Sequence, residues 1–182
     1  MPFANIQLIS METGKKTICF FNLRTATIKV KISGGNDYTL GLSEDGTVWS
    51  WGGNGLGQLG DGTKNASNAP VQVSGLSNIV DISAGYDHAG ALKSDGTVWA
   101  WGQNILGQLG NGLTAMSTAP VQVQLPGSVE SIESASTAHN FAVKADGTIW
   151  AWGWNANGQL GDGTSVNRLL PVICQFQSVK KD

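Results

Sequence analysis

The chain has 182 residues, a net charge of −2 and 13% charged side chains against the usual roughly 25%, together with 25 glycines and 7 tryptophans. That balance excludes disorder, which needs charge and few aromatics, a helical bundle, in which each internal glycine costs about 1 kcal/mol, and collagen, since glycine does not recur at every third position. It also argues against nucleic acid as a partner through bulk charge, and no apolar run approaches the ~20 residues that span a bilayer. Few charges, many glycines and many tryptophans point to an all-β protein rich in tight turns. The start, Met-Pro-Phe-Ala-Asn-Ile-Gln, lacks the basic end and apolar stretch of a secretory signal. The chain as given therefore reads as cytoplasmic, or as extracellular if it is a fragment.

Residues 1–29 match nothing later in the chain. Residues 1–33 are basic, with Lys15, Lys16, Arg24, Lys29 and Lys31 against Glu12 alone. Residues 1–29 read as a loose β-hairpin: Ile6 and Leu8, a turn near Glu12-Thr-Gly14, then a return over Ile18 to Phe21. Such a segment suits a cap, because terminal repeats need an atypical outer layer, and equally a remnant of a longer gene.

From residue 30 onward the chain repeats. Asp-Gly-Thr-Val-Trp-Ser-Trp-Gly at 45–52 returns as Asp-Gly-Thr-Val-Trp-Ala-Trp-Gly at 95–102 and Asp-Gly-Thr-Ile-Trp-Ala-Trp-Gly at 146–153. Gly-Gln-Leu-Gly follows at Gly57, Gly107 and Gly158, and a Pro-Val pair at Pro70, Pro120 and Pro171. The units are 30–79, 80–129 and 130–182. The third is one residue longer, and comparison of Ile79-x-x-Ile82 with Val129-x-x-Ile132 places the addition at Glu133–Ser134 as a β-bulge.

Inside a unit the period is two. In the second, Ala89 to Lys93 predicts a strand, Ser94-Asp95-Gly96 a hairpin turn and Thr97 to Trp101 the returning strand. A further strand begins at Pro120, with the proline at its first position. On the returning strand Thr97, Trp99 and Trp101 share one face while Val98, Ala100 and Gly102 share the other. One face is large and aromatic and the other small and apolar, so both are buried when small sheets stack. Four short antiparallel strands per roughly 50 residues describe β-propeller-type blades. Trp49, Trp51, Trp99, Trp101, Trp150 and Trp152, with Gly52, Gly102 and Gly153, form the repeated core. Three blades do not close a ring of four to eight, so the propeller is incomplete or closed by oligomerisation.

The run Ala-Gly-x-x-His, Leu-x-x-Asp-Gly-Thr-Val-Trp-Ala-Trp-Gly, Gly-Gln-Leu-Gly-Asp-Gly-Thr and Pro-Val-Gln-Val resembles the repeat of the regulator of chromosome condensation family, over about Val30 to the C-terminus. The resemblance implies a seven-bladed propeller, and nucleotide exchange on a small GTPase as one activity. In that family exchange depends on a wedge-like insertion, for which units of 50 and 51 residues leave no room. Near-identical Trp-Ala-Trp-Gly units are more like the bacterial members, among which similar proteins inhibit enzymes by covering them with the propeller rim.

No catalytic constellation emerges. His88 and His139 occupy one place in two repeats, as a residue serving backbone groups between blades does, whereas a catalytic base is needed once. No third His or nearby Cys completes a metal site. Gly55-Leu-Gly57-Gln-Leu-Gly60 mimics a dinucleotide fingerprint, but Ile105 and Ala156 stand where Gly55 does, and no helix follows. Recurrent Asp-Gly and Asn-Gly pairs read as turns. Cys19 and Cys174 read as two buried thiols, or as a pair if the N-terminal strand completes the last blade. No cofactor is expected and the chain reads as a non-enzyme.

Function then falls to the loops that differ between units: 53–56, 103–106 and 154–157, and 63–69, 113–119 and 164–170. Trp154 replaces Gly53 and Gln103 and is expected to face solvent as an anchor. With Asn157, Ile105, Leu113, Met116, Arg168 and Leu169 it makes the candidate partner surface. The reading is a non-catalytic protein-binding scaffold. Its alternatives are an exchange-factor-like regulator of a small GTPase, an enzyme inhibitor or a carbohydrate-binding module. A homo-oligomer closing the propeller is the further partner considered.

Overall fold

A computed structural model of the chain describes residues 11–13, 16–23, 26–135 and 137–176, with side chains described from Val30 onward. The elements in chain order are β1 (Met11–Thr13), β2 (Lys16–Leu23), β3 (Ala26–Gly34), β4 (Tyr38–Leu42), β5 (Val48–Gly52) and β6 (Ser67–Gln72), then β7 (Ile79–Ala84), β8 (His88–Lys93), β9 (Val98–Gly102) and β10 (Ser117–Gln122), and last β11 (Ser131–Ser134), β12 (His139–Val143), β13 (Ile149–Gly153) and β14 (Arg168–Ile173). They form three antiparallel meanders, β3 to β6, β7 to β10 and β11 to β14, and β1 and β2 extend the first sheet beyond β3. Among the described residues there is no helix, and so none long and apolar enough to cross a membrane.

Each meander turns where Asp-Gly-Thr dictates. The Asp95 carboxylate accepts the Thr97 N–H at 3.0 Å and its hydroxyl at 2.6 Å, while Gly96 takes the positive φ of +82° that a side chain would resist. Asp45–Thr47 and Asp146–Thr148 repeat the arrangement, and these bonds hold all three carboxyls below their usual range. The sheets approach one another along β3, β7 and β11 and draw apart toward β6, β10 and β14, so they fan like blades.

The core lies between the sheets. One cluster joins Leu40, Leu42, Val48, Leu59 and Val73 of the first to Ile82, Ala89, Ala91 and Trp101 of the second. Another joins Leu92, Val98, Ala100, Leu109 and Val123 of the second to Ile132, Ala142 and Trp152 of the third. Thus the second sheet buries one face against the first and the other against the third.

Three details differ from the expectations. The strand β11 pairs with β12 without a break, Ser134 opposite Asn140, so no bulge lies at Glu133–Ser134. The added residue sits in the connection 135–138, which corresponds to the shorter 85–87. Pro120 stands fourth in β10, inside a register shift on the sheet's edge strand, where a missing N–H breaks no ladder. Finally, β2 pairs with β3 of the first sheet and not with the last, so Cys19 sits on the opposite flank from Cys174, which is a free thiol. The proposed Ile6–Leu8 arm lies outside the described residues.

Candidate functional site

The connections 35–37 and 53–66 leave the same end of the first sheet, since Tyr38 pairs with Gly52 and Gly52 with Ser67. The second and third sheets do likewise, which gathers the loops on one rim. A buried asparagine shapes each long loop. Asn104 donates from Nδ2 to the carbonyls of Leu113 (2.9 Å) and Ala115 (3.0 Å), and its Oδ1 accepts the Leu109 N–H at 2.9 Å. Asn54 binds Thr63, Asn65 and Leu59 in the same way, and Asn155 binds Thr164, Val166 and Leu160. All three are essentially inaccessible to solvent. The sequence reading passed over them because they stand inside stretches that otherwise vary; their recurrence in register was the available signal.

The first two of these loops also seal the two seams between sheets. The Trp101 indole donates to the carbonyl of Gln58 in the preceding sheet, and the Trp152 indole to that of Gln108, both at 2.9 Å. The Gly62 N–H donates to the Thr118 carbonyl of the next sheet and Gly112 to that of Leu169. At the same seams the Tyr38 hydroxyl donates to the His88 carbonyl, and His88 Nε2 lies 2.8 Å from Asn140 Oδ1. The amide oxygen can only accept, so the imidazole carries its proton on Nε2. Burial pushes the His88 pKa down to about 4, the Asn140 bond opposing it. Its Nδ1 finds no partner, as befits a neutral ring. Burial, with Asp87 and Asp37 nearby, drives the Tyr38 hydroxyl well above its usual range.

The six tryptophans of the repeats divide. Trp101 and Trp152 are buried, whereas Trp49, Trp51, Trp99 and Trp150 are half-buried. Gly102 and Gly153 are buried and Gly52 is half-buried, and His88 is enclosed while His139 is half-buried, its Nδ1 2.8 Å from Thr137 Oγ1. Among the partner candidates, Ile105 (66% exposed) and Leu113 (59%) stand out from the second loop. Asn157 and Leu169 are exposed, Met116 is half-buried, and Arg168 is tied to Asp162 at 2.6 Å. Trp154 is half-buried rather than fully presented to solvent, and its backbone N–H is fixed to the Ala138 carbonyl.

The rim also holds Asp37 and Asp87, whose proximity, added to burial, raises the Asp87 carboxyl. Ala138 stands in the corresponding place of the third unit. Among the described residues no three His, Cys, Asp or Glu side chains gather as metal ligands.

Comparison with known proteins agrees with this geometry. Residues 45–92, 95–143 and 146–181 each match the family model described as the regulator of chromosome condensation (RCC1) repeat, and a second model of that description matches 30–58 and 79–108. The chain is 37% identical over 158 residues to the Arabidopsis thaliana ultraviolet-B receptor UVR8, which covers 85% of this chain and 36% of the receptor. It is 34% identical over 142 residues to the mouse E3 ubiquitin-protein ligase HERC2, 76% of this chain and 3% of the ligase. Its fold matches Prp20p from Saccharomyces cerevisiae with a TM-score of 0.74 at 15% identity, over 96% of this chain and 52% of that one. The chain thus spans about half of the solved propeller and still less of the curated relatives.

Proposed function

This chain belongs to the regulator of chromosome condensation (RCC1) repeat family, and from that premise we propose that it is a non-catalytic, protein-binding scaffold whose partner meets the rim loops. The observation that carries the reading is the asparagine clamp. It holds the same backbone path in every unit through Asn54, Asn104 and Asn155, while the outward side chains change, with Gly55, Ile105 and Ala156 at one position and Thr63, Leu113 and Thr164 at another. A constant frame with variable exposed side chains is what recognition of a protein surface requires. Prp20p, studied together with its binding to Gsp1p and histones, supports a protein partner for this fold. Nucleotide exchange is less well supported, since the three long loops, 53–66, 103–116 and 154–167, are equal in length and none carries an added wedge. A glycan platform is less well supported too, because Trp154 is only half-exposed.

Photo-crosslinking tests the proposal. A crosslinking residue placed at 105, 113, 157 or 169 is expected to capture a discrete protein, and one placed at Glu44 or Ser94, in the turns at the opposite end, is not. Equal capture from both ends, or binding of glycans alone, would overturn it.

A further inference from the structure

We propose that the partner of the rim binds through a short apolar segment carrying a lysine or arginine, with its apolar side chains laid on Tyr86, Ile105 and Leu113 and its cation held by Asp37 and Asp87. The inference rests on the reading of the rim loops as a recognition surface and adds the chemistry of what they recognise. It draws on the middle unit and the seam before it, where both neighbouring sheets are in place.

Three rim positions are large and apolar in the middle unit alone. Tyr86 stands where the other units have Asn36 and Thr137, Ile105 where they have Gly55 and Ala156, and Leu113 where they have Thr63 and Thr164. Tyr86 is 48% exposed, and Ile105 and Leu113 more so. The backbone joins the three into one surface. The Gln103 N–H donates to the Asp87 carbonyl at 2.9 Å, which sets the Tyr86 turn beside the start of the long loop. Asn104 then draws the Leu113 carbonyl toward its own neighbour Ile105. Across the next seam the Gly112 N–H reaches the carbonyl of Leu169, an exposed leucine where the first seam has Thr118, and this prolongs the ridge outward. Apolar side chains scattered singly over a surface are ordinary, but a contiguous run edged by polar groups marks an interaction site.

The inner end of this ridge is acidic. The Asn36 N–H donates to the Tyr86 carbonyl at 3.0 Å, so the two inner turns lie side by side and bring Asp37 near Asp87. Asp37 is exposed and accepts a 3.3 Å bond from the Gln58 amide, while the half-buried Asp87 side chain has no hydrogen bond among the described residues. The ion pairs of those residues engage other acids, Asp81, Asp95 and Asp162. A guanidinium or ammonium from a partner meets both carboxylates and relieves their mutual repulsion, and the same pair rejects an acidic segment. Tyr86 stands where the acidic end joins the apolar ridge. It suits the stem and head of one long basic side chain, since such stems lie on apolar surface and such heads on aromatic faces. The third unit has Ala138 in the place of Asp87, so the acidity is confined to the first seam. The bound segment therefore runs with its cation at the inner turns and its apolar residues toward Leu113.

Selection of random peptides displayed on phage against the full chain, followed by titration of the recovered peptides, tests this. Those peptides are expected to carry Lys or Arg beside apolar residues. Tyr86→Ala and Leu113→Ser are each expected to weaken their binding by about tenfold. Asp37→Asn combined with Asp87→Asn is expected to weaken it by about tenfold at low salt and by less as salt rises. Glu44→Gln, which removes an exposed carboxylate at the opposite end, leaves it unchanged. Near-UV circular dichroism confirms that each variant is folded. Peptides without a cation, binding indifferent to the two aspartates, or recovery of no peptide that depends on Tyr86 or Leu113 would each overturn the inference. Photo-crosslinking from 105 and 113 separates it from the reading beneath it. A discrete protein captured equally by the chain lacking both aspartates overturns this inference and leaves the protein-binding scaffold standing, whereas no capture from the rim removes both.

Discussion

His88 Nε2 lies 2.8 Å from Asn140 Oδ1 across the seam between the second and third sheets, with the imidazole fully enclosed and its pKa near 4 against an ordinary 6.5. The folded ring stays neutral down to about pH 4, while the unfolded chain begins to protonate it near 6.5. Between those values the unfolded state binds more protons. Stability from this group is therefore complete above pH 6.5 and falls as pH drops, by on the order of 3 kcal/mol at pH 4. Urea denaturation at pH 7.5 and 4.5 measures the slope. His88→Gln, which keeps a donor for Asn140, is expected to flatten it, and an unchanged slope would mean that another group takes up the proton.

Trp99 and Trp101 stand on one face of β9 and look equivalent in sequence, yet their indoles do different things. Trp101 donates across the seam to Gln58, whereas Trp99, half-buried, donates to its neighbour Thr97 at 3.3 Å. Trp101→Phe leaves a buried carbonyl unpaired and a gap beside it, and is expected to cost about 2–3 kcal/mol. Trp99→Phe is expected to cost less than about 1 kcal/mol. Denaturation midpoints of the two variants decide; equal losses would mean that the cross-seam bond adds nothing.

Arg168 and Asp162 form a pair that matters unequally to its members. Asp162 also accepts the Thr164 N–H and the Asn155 amide, and although burial works to raise its carboxyl, the bonds from Thr164 and Arg168 hold it down at about 2. Arg168 is partly exposed and loses little when cut back. Arg168→Ala is expected to shift stability by under about 1 kcal/mol and Asp162→Ala by more, in parallel urea titrations. This separation makes Arg168 a usable probe of partner binding.

The blade was legible because its signals are local. Asp-Gly-Thr turns fix the hairpins, and a Trp-x-Trp alternation buried on both faces demands stacked sheets. What escaped was set by neighbouring sheets. Ser-Ala at 83–84 was aligned one place off in the third unit because two short strands fit either register. The register of β11 on β12, and the cross-seam bond from the Ser134 N–H to Ser83 Oγ that matches that from Ala84 to Ser33, show Ser134 in the place of Ala84. Burial of Trp101 against the partial exposure of Trp51 depends on the sheet packed against them, which two motifs that differ only at Ser50 and Ala100 cannot reveal.

Asn104 ties this argument to the rim. Its side chain closes a loop of 103–116 by satisfying two carbonyls and one N–H that the loop itself cannot pair. Replacing it with alanine orphans the buried Leu109 N–H and frees the partly buried carbonyls of Leu113 and Ala115, and a buried orphan costs about 1–3 kcal/mol. Some of that is recovered as the loop opens, so Asn104→Ala is expected to cost about 2–4 kcal/mol. Hydrogen exchange locates the loss: the Leu109 amide is expected to lose its protection, while β8 and β9 keep theirs. If the loop is the recognition surface, the same variant weakens partner capture through Ile105 and Leu113 without touching either side chain. Retained capture by an Asn104→Ala chain with an unprotected Leu109 amide would separate the loop's shape from its binding.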